Sequence, residues 1–177
     1  MTTRRPSRKS VVRACLRAVL AIGLAIGLAL GLGLVPSPAV FVAHAATTQR
    51  IVTDRNTGLA IYGIDPVAYF TDKKPTIGRA EFELRFAGAL WRFDNEGNRA
   101  AFVADPKVYM PQYGGYDPLG IARGITTPGY PQLWAIVKDR LYLFYTADAR
   151  AAFLADPAAA IKAAEARWPA VIKDLSE

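Results

Sequence analysis

"RAAFVADP", residues 99–106, and "RAAFLADP", residues 150–157, are nearly one phrase written twice, 51 positions apart. Ala and Phe make a compact helix with one large anchor, Phe102 or Phe153. The closing Asp-Pro is a helix-start signal, with Asp105 or Asp156 as N-cap and the proline at the first helical position. The match extends backwards, setting Leu90-Trp91-Arg92-Phe93 against Leu141-Tyr142-Leu143-Phe144. Each of these runs ends an alternating stretch. "EFELRFAGALWRFD" (81–94) turns at Ala87-Gly88, and "LWAIVKDRLYLFY" (133–145) turns at Lys138-Asp139. A period of two broken by a two-residue turn predicts an antiparallel hairpin.

The predicted fold is therefore α+β. A small antiparallel sheet of two hairpins packs with short helices in a hairpin-helix pseudo-repeat, and a long C-terminal helix closes the chain. That helix is "AAAIKAAEARWPAVIKDL" (158–175), with Ile161, Ala164 and Trp168 on one side and a break expected near Pro169. Upstream, "GLAIYG" (58–63) reads as a strand, and "DPVAYF" (65–70) as a short helix capped by Asp65 and carrying Tyr69 and Phe70. The first copy of the repeat runs on into "PQYGGYDPLG" (111–120) where the second continues as plain helix, so this stretch marks a divergence between the copies.

Charge separates the chain into an address and a domain. The 177 residues carry a formal +7, but Arg4, Arg5, Arg8, Lys9, Arg13 and Arg17 precede an uncharged stretch from Ala18 to Val35, and no carboxylate occurs before Asp54. Pro36, Pro38 and Ala43-His44-Ala45 follow, the order of a signal peptide with a small-x-small cleavage site. Residues 1–45 are read as that signal, 46–57 as a flexible lead-in and 58–177 as one domain. An uncleaved anchor is the competing reading, since the apolar stretch reaches the lower range of a membrane span and Gly23, Gly27 and Gly31 recur at helix-packing spacing. Either way the domain is expected outside the cytoplasm, periplasmic or secreted, or inner-membrane anchored and facing the periplasm. Cleavage after Ala45 leaves 132 residues with 16 basic and 15 acidic side chains, so a nucleic-acid partner loses its electrostatic basis. Membrane contact is expected only through the N-terminal segment.

Cleavage also removes Cys15 and His44, the only cysteine and the only histidine, and leaves Ser176 as the only serine. The usual nucleophile-base pairs cannot be assembled from what remains. No catalytic residue is assigned. Carboxylate chemistry between Asp65 and Asp117 is the enzymatic alternative. Soft and imidazole metal sites are excluded in the same way, so no metal ligand or cofactor is predicted; oxygen ligands alone suit hard cations. "DRNTG" (54–58) and "DNEGN" (94–98) are too short for calcium loops and lack the distal Glu, reading instead as a turn and a helix N-cap.

Two readings share "PQYGGYDPLG". Gly114 and Gly115 permit positive φ and close approach, Tyr113 and Tyr116 offer flat faces with a hydroxyl at the rim, and Asp117 adds a carboxylate near Arg123. This suits a ligand site, with Tyr69 and Arg123 as further lining residues. Residue types alone favour the other reading, a tight turn between helices whose tyrosines complete the core.

The ordered phrases "GIDPVAYF" (63–70), "ALWRFDNEGNRAAFVADPKVYMPQYGGY" (89–116), "LYLFY" (141–145) and "AAEARWP" (163–169) resemble the exported bacterial type of YHS-domain protein across nearly all of Gly58 to Pro169. The resemblance implies a small α+β domain related to metal-binding modules, without a settled activity. It also implies "YGGYC" where this chain has "YGGYD", so the thiol expected at position 117 is replaced by Asp117. The function expected is a non-catalytic exported module that binds a small ligand or a periplasmic protein at a degenerate metal or thiol site. Metal handling through oxygen ligands is the other alternative.

Overall fold

A computed structural model describes residues 49–175, and the expected signal segment, with Cys15 and His44, lies outside them, as does Ser176. The fold is α+β. After a 3-10 turn at Ile61–Gly63 come helix α1 (Ala68–Thr71), strands β1 (Arg79–Phe86) and β2 (Ala89–Phe93), and helices α2 (Glu96–Ala104) and α3 (Pro106–Tyr109). A second 3-10 turn at Gln112–Gly115 opens the same order again. It leads to α4 (Pro118–Ala122), β3 (Tyr130–Val137), β4 (Arg140–Phe144), α5 (Ala147–Ala155), the long α6 (Pro157–Val171) and a last 3-10 turn, Ile172–Asp174. Among the described residues no helix is long and apolar enough to cross a membrane.

The hairpins turn where the sequence places them. Ala87 and Gly88, and likewise Lys138 and Asp139, all take positive φ, as a two-residue turn between right-twisted strands requires. Register is matched too. Leu84 faces Trp91 and Ala135 faces Tyr142, and each long strand carries an irregularity near its start, between Arg79 and Glu83 and between Tyr130 and Trp134. The hairpins form two separate two-stranded sheets rather than the one sheet expected.

The repeated phrase has the physical role its residues suggest. Phe102 of α2 lies under Trp91 and Phe93, with ring centroids 5.1 and 5.2 Å away; Phe153 of α5 lies under Tyr142 and Phe144 at 4.9 and 5.0 Å. Asn95 and Thr146 cap these helices at matching positions, accepting from the amides of Asn98 and Ala149. Asp156 caps α6 through the amide of Ala159, but the Asp105 side chain makes no such bond, and α3 ends after one turn. The expected break at Pro169 is absent, and α6 runs through it to Val171. The missing amide frees the carbonyl of Glu165, and both residues lie on the exposed side, where water can serve that carbonyl.

Each copy has its own buried cluster, one around Trp91, Phe93 and Phe102 and one around Tyr116, Phe144 and Phe153. β4 joins them. Leu141 and Leu143 enter the first cluster while Tyr142 and Phe144 enter the second, as alternation along a strand dictates. Two neighbouring residues near the start of the described chain do the same: Ile51 belongs to the first cluster and Val52 to the second. The packed domain therefore starts before Gly58, within the stretch expected as flexible lead-in. "GLAIYG" is also not a strand. Leu59 and Ala60 make isolated bridges only, and Ile61, Tyr62 and Gly63 all turn to positive φ.

Candidate functional site

The stretch around Asp117, reached where the first copy leaves the helix that the second continues, is also the start of the second copy. Ile61-Tyr62-Gly63-Ile64-Asp65-Pro66 corresponds to Tyr113-Gly114-Gly115-Tyr116-Asp117-Pro118, 52 positions on. The backbone repeats in detail, with φ of 40, 61 and 76° in the first triplet and 54, 65 and 92° in the second. The Asp65 amide donates to Thr76 O at 2.8 Å and that of Asp117 to Thr127 O at 2.9 Å. The amides of Gly78 and Gly129 donate to Gly63 O and Gly115 O, both at 2.9 Å.

The two carboxylates are buried and do the same work. One oxygen of Asp65 accepts from the amides of Val67 and Ala68, while the other accepts from the amide of Asp94 at 2.8 Å and from Asn98 Nδ2 at 2.6 Å. One oxygen of Asp117 accepts from the amides of Leu119 at 2.8 Å and Gly120 at 3.3 Å, and the other from that of Tyr145 at 2.9 Å. Each aspartate thus caps a short helix and ties it to the residue just beyond a hairpin. Three amide dipoles aimed at Asp117 supply positive charge where a bound cation would have to sit, so a metal does not fit this residue. No group of three or more His, Cys, Asp or Glu side chains able to hold an ion occurs among the described residues.

The other candidates scatter. Tyr116 is fully buried and its hydroxyl donates to Gln49 O at 2.6 Å, while Gly115 packs beside Ile61 and Val52. Tyr69 is equally buried, its hydroxyl donating to Pro131 O at 2.9 Å and its ring edge-on to Trp134. Arg123 is exposed at the C-terminal end of α4. Tyr116, Gly115, Tyr69 and Asp117 build the core and its caps, and neither they nor Arg123 line the cleft described next.

Tyr113 and Gly114 do line an open cleft of about 600 Å³. Its apolar walls are Ile51, Met110, Pro111, Tyr113, Trp168 and Ile172, the turn Ala87-Gly88 and Gln112 contribute to its lining, and its charged lining is Arg50, Lys107 and Arg140. Tyr113 stands edge-on to Trp168 with centroids 5.6 Å apart, and burial, with smaller contributions from Tyr142 and Glu165, pushes its phenol pKa well above the ordinary value. Gly114 is required here. The segment carrying Arg50 crosses it so closely that a Cβ would stand 1.9 Å from Arg50 O, and the Gly114 carbonyl accepts from the Val52 amide at 2.8 Å.

The sequence offered partial sight of this cleft. It places Trp168 on the packed face of the last helix, but Arg50, the Lys107 to Met110 stretch and Arg140 come from three separate segments with no shared motif or spacing. Comparison of the chain with protein-family models, with curated proteins and with solved structures yields no match.

Proposed function

We propose that this chain is an exported, non-catalytic binding module of the YHS-like kind, and that it takes a small molecule in the cleft between Tyr113, Met110 and Trp168. The single observation that carries this reading is the cleft itself. Its volume of about 600 Å³ falls in the range of small-molecule sites, roughly 300–1,000 Å³, and it combines an aromatic, apolar wall with a few charged groups. Export is supported by the basic, apolar and small-residue order of the first 45 residues. A binding role is favoured over carboxylate catalysis because each buried aspartate spends one oxygen on a helix start and the other on the residue beyond a hairpin, and neither lines the cleft.

A fragment screen read by amide and indole NMR shifts tests the proposal. Hits should move the Trp168 indole and the Tyr113 and Gly114 amides together. Met110→Trp, which fills the cleft, should abolish those shifts without unfolding the protein. Fragments that leave these signals still, or that shift them equally in the filled variant, would show that the cleft is not a ligand site.

A further inference from the structure

We infer that the ligand of this cleft is a small organic anion with a flat apolar body, an aromatic or alicyclic carboxylate or sulfonate. The inference rests on the reading of the cleft as a ligand site and adds the chemistry of its occupant. Arg50, Lys107 and Arg140 line the cleft with no Asp or Glu among the lining residues. An adjoining depression of about 320 Å³ shares Arg140 and adds Lys138 and Lys162 against the single carboxylate of Glu165.

This concentration of positive charge does not follow from overall basicity. Beyond residue 45 the chain is nearly balanced, with 16 basic and 15 acidic side chains. Arg79, Arg92 and Arg99 are held by Asp94, Glu83 and Glu96, whereas Lys107 and Arg140 join no ion pair among the described residues. Cations gathered in a concavity with low-dielectric walls raise its potential and favour an anion there. The guanidinium of Arg140 also matches the planar fork of a carboxylate. A bare inorganic anion would leave Tyr113, Trp168 and Met110 unused, and a neutral apolar ligand would leave Lys107 and Arg140 without a counter-charge.

Two dyes with the same anilinonaphthalene body separate these terms: 8-anilinonaphthalene-1-sulfonate and the uncharged N-phenyl-1-naphthylamine. With the purified protein in the form its host exports, the sulfonate should bind at least ~10-fold more tightly at low salt, and the advantage should shrink as ionic strength rises. Lys107→Gln and Arg140→Gln should each weaken the sulfonate by roughly 3- to 10-fold and leave the neutral dye unchanged, and Lys107→Arg should restore it. Met110→Trp should remove both. Equal affinity for the two dyes, or indifference to both Gln variants, overturns the anion assignment while leaving the cleft as a ligand site. Failure of both dyes to bind, or binding unaffected by Met110→Trp, overturns both.

Discussion

Replacing Asp117 by Asn tests whether this residue is a structural clasp or part of a binding surface. The amide keeps an oxygen for the Leu119 and Gly120 amides, but its Nδ2 then faces the Tyr145 amide, now 2.9 Å from the lost carboxylate oxygen. Donor meets donor in a site only 3% exposed. One charge-assisted hydrogen bond, worth about 1.5–3 kcal/mol, is lost, and the stranded amide adds about 1 kcal/mol or more, for a total of roughly 3 kcal/mol. That is a large share of the ~5–15 kcal/mol that holds a domain of this size folded. In urea unfolding followed by tryptophan fluorescence, it corresponds to a midpoint lowered by roughly 1–3 M. Asp65→Asn should cost at least as much, because its outer oxygen accepts from both the Asp94 amide and Asn98 Nδ2. Dye binding by the folded fraction of Asp117→Asn should be unchanged. An Asp117→Asn protein within 0.5 kcal/mol of the parent, or one that stays folded yet loses the ligand, would refute the clasp.

Gly114→Ala should be among the most damaging single-methyl additions. Its Cβ would meet Arg50 O at 1.9 Å, so the segment that buries Ile51 and Val52 must move away, and a melting temperature lowered by about 10 °C or more is expected. Tyr69 gives a pH signature. Burial raises its phenol pKa far above 10, so from about pH 10 upward the unfolded chain loses a proton that the folded chain keeps. Stability from this group is complete below pH 10 and falls by up to ~1.4 kcal/mol per pH unit above it. Tyr69→Phe, which forfeits the bond to Pro131 O, should be less stable at pH 7 but show a shallower alkaline decline in denaturant midpoints.

Much of the fold was legible because its signals are local. Turn dipeptides, two-residue alternation and Asp-Pro starts predict both hairpins and most helices where they occur. What was not legible depends on distant partners. Ile61 at positive φ is a costly conformation for a β-branched residue, and no propensity would assign it; the turn is held by the bonds that Asp65 and Gly63 make to Thr76 and Gly78. The two prolines that follow potential helices behave differently for the same reason. Met110 before Pro111 leaves the helix, whereas Trp168 before Pro169 stays in it because packing against Tyr113 holds it there. Of the seven candidate site residues, Tyr113 and Gly114 line the cleft. Asp117 stands beside two tyrosines in the place of an expected thiol, yet its explanation lies 52 positions earlier, in an equivalent aspartate the sequence displays openly.

The internal duplication also explains where a binding site could arise. Positions that match between the copies are committed to the fold: the aspartates, the bulged strands and the Phe anchors recur with the same partners. Where the copies differ, the constraint is lifted. The Arg79 and Asp94 ion pair of the first copy becomes the stacked Tyr130 and Tyr145 of the second. Exposed Tyr62 becomes Gly114, which lets the segment at Arg50 pass. Most consequentially, α3 stops at Tyr109 while its counterpart α6 continues to Val171, bringing Trp168 and Ile172 over Tyr113. The cleft exists because one copy's last helix is short and the other's is long. Ile51 and Tyr113 in its lining are fixed by the core, whereas its cations Arg50, Lys107 and Arg140 lie outside both buried clusters, at positions that core packing does not dictate.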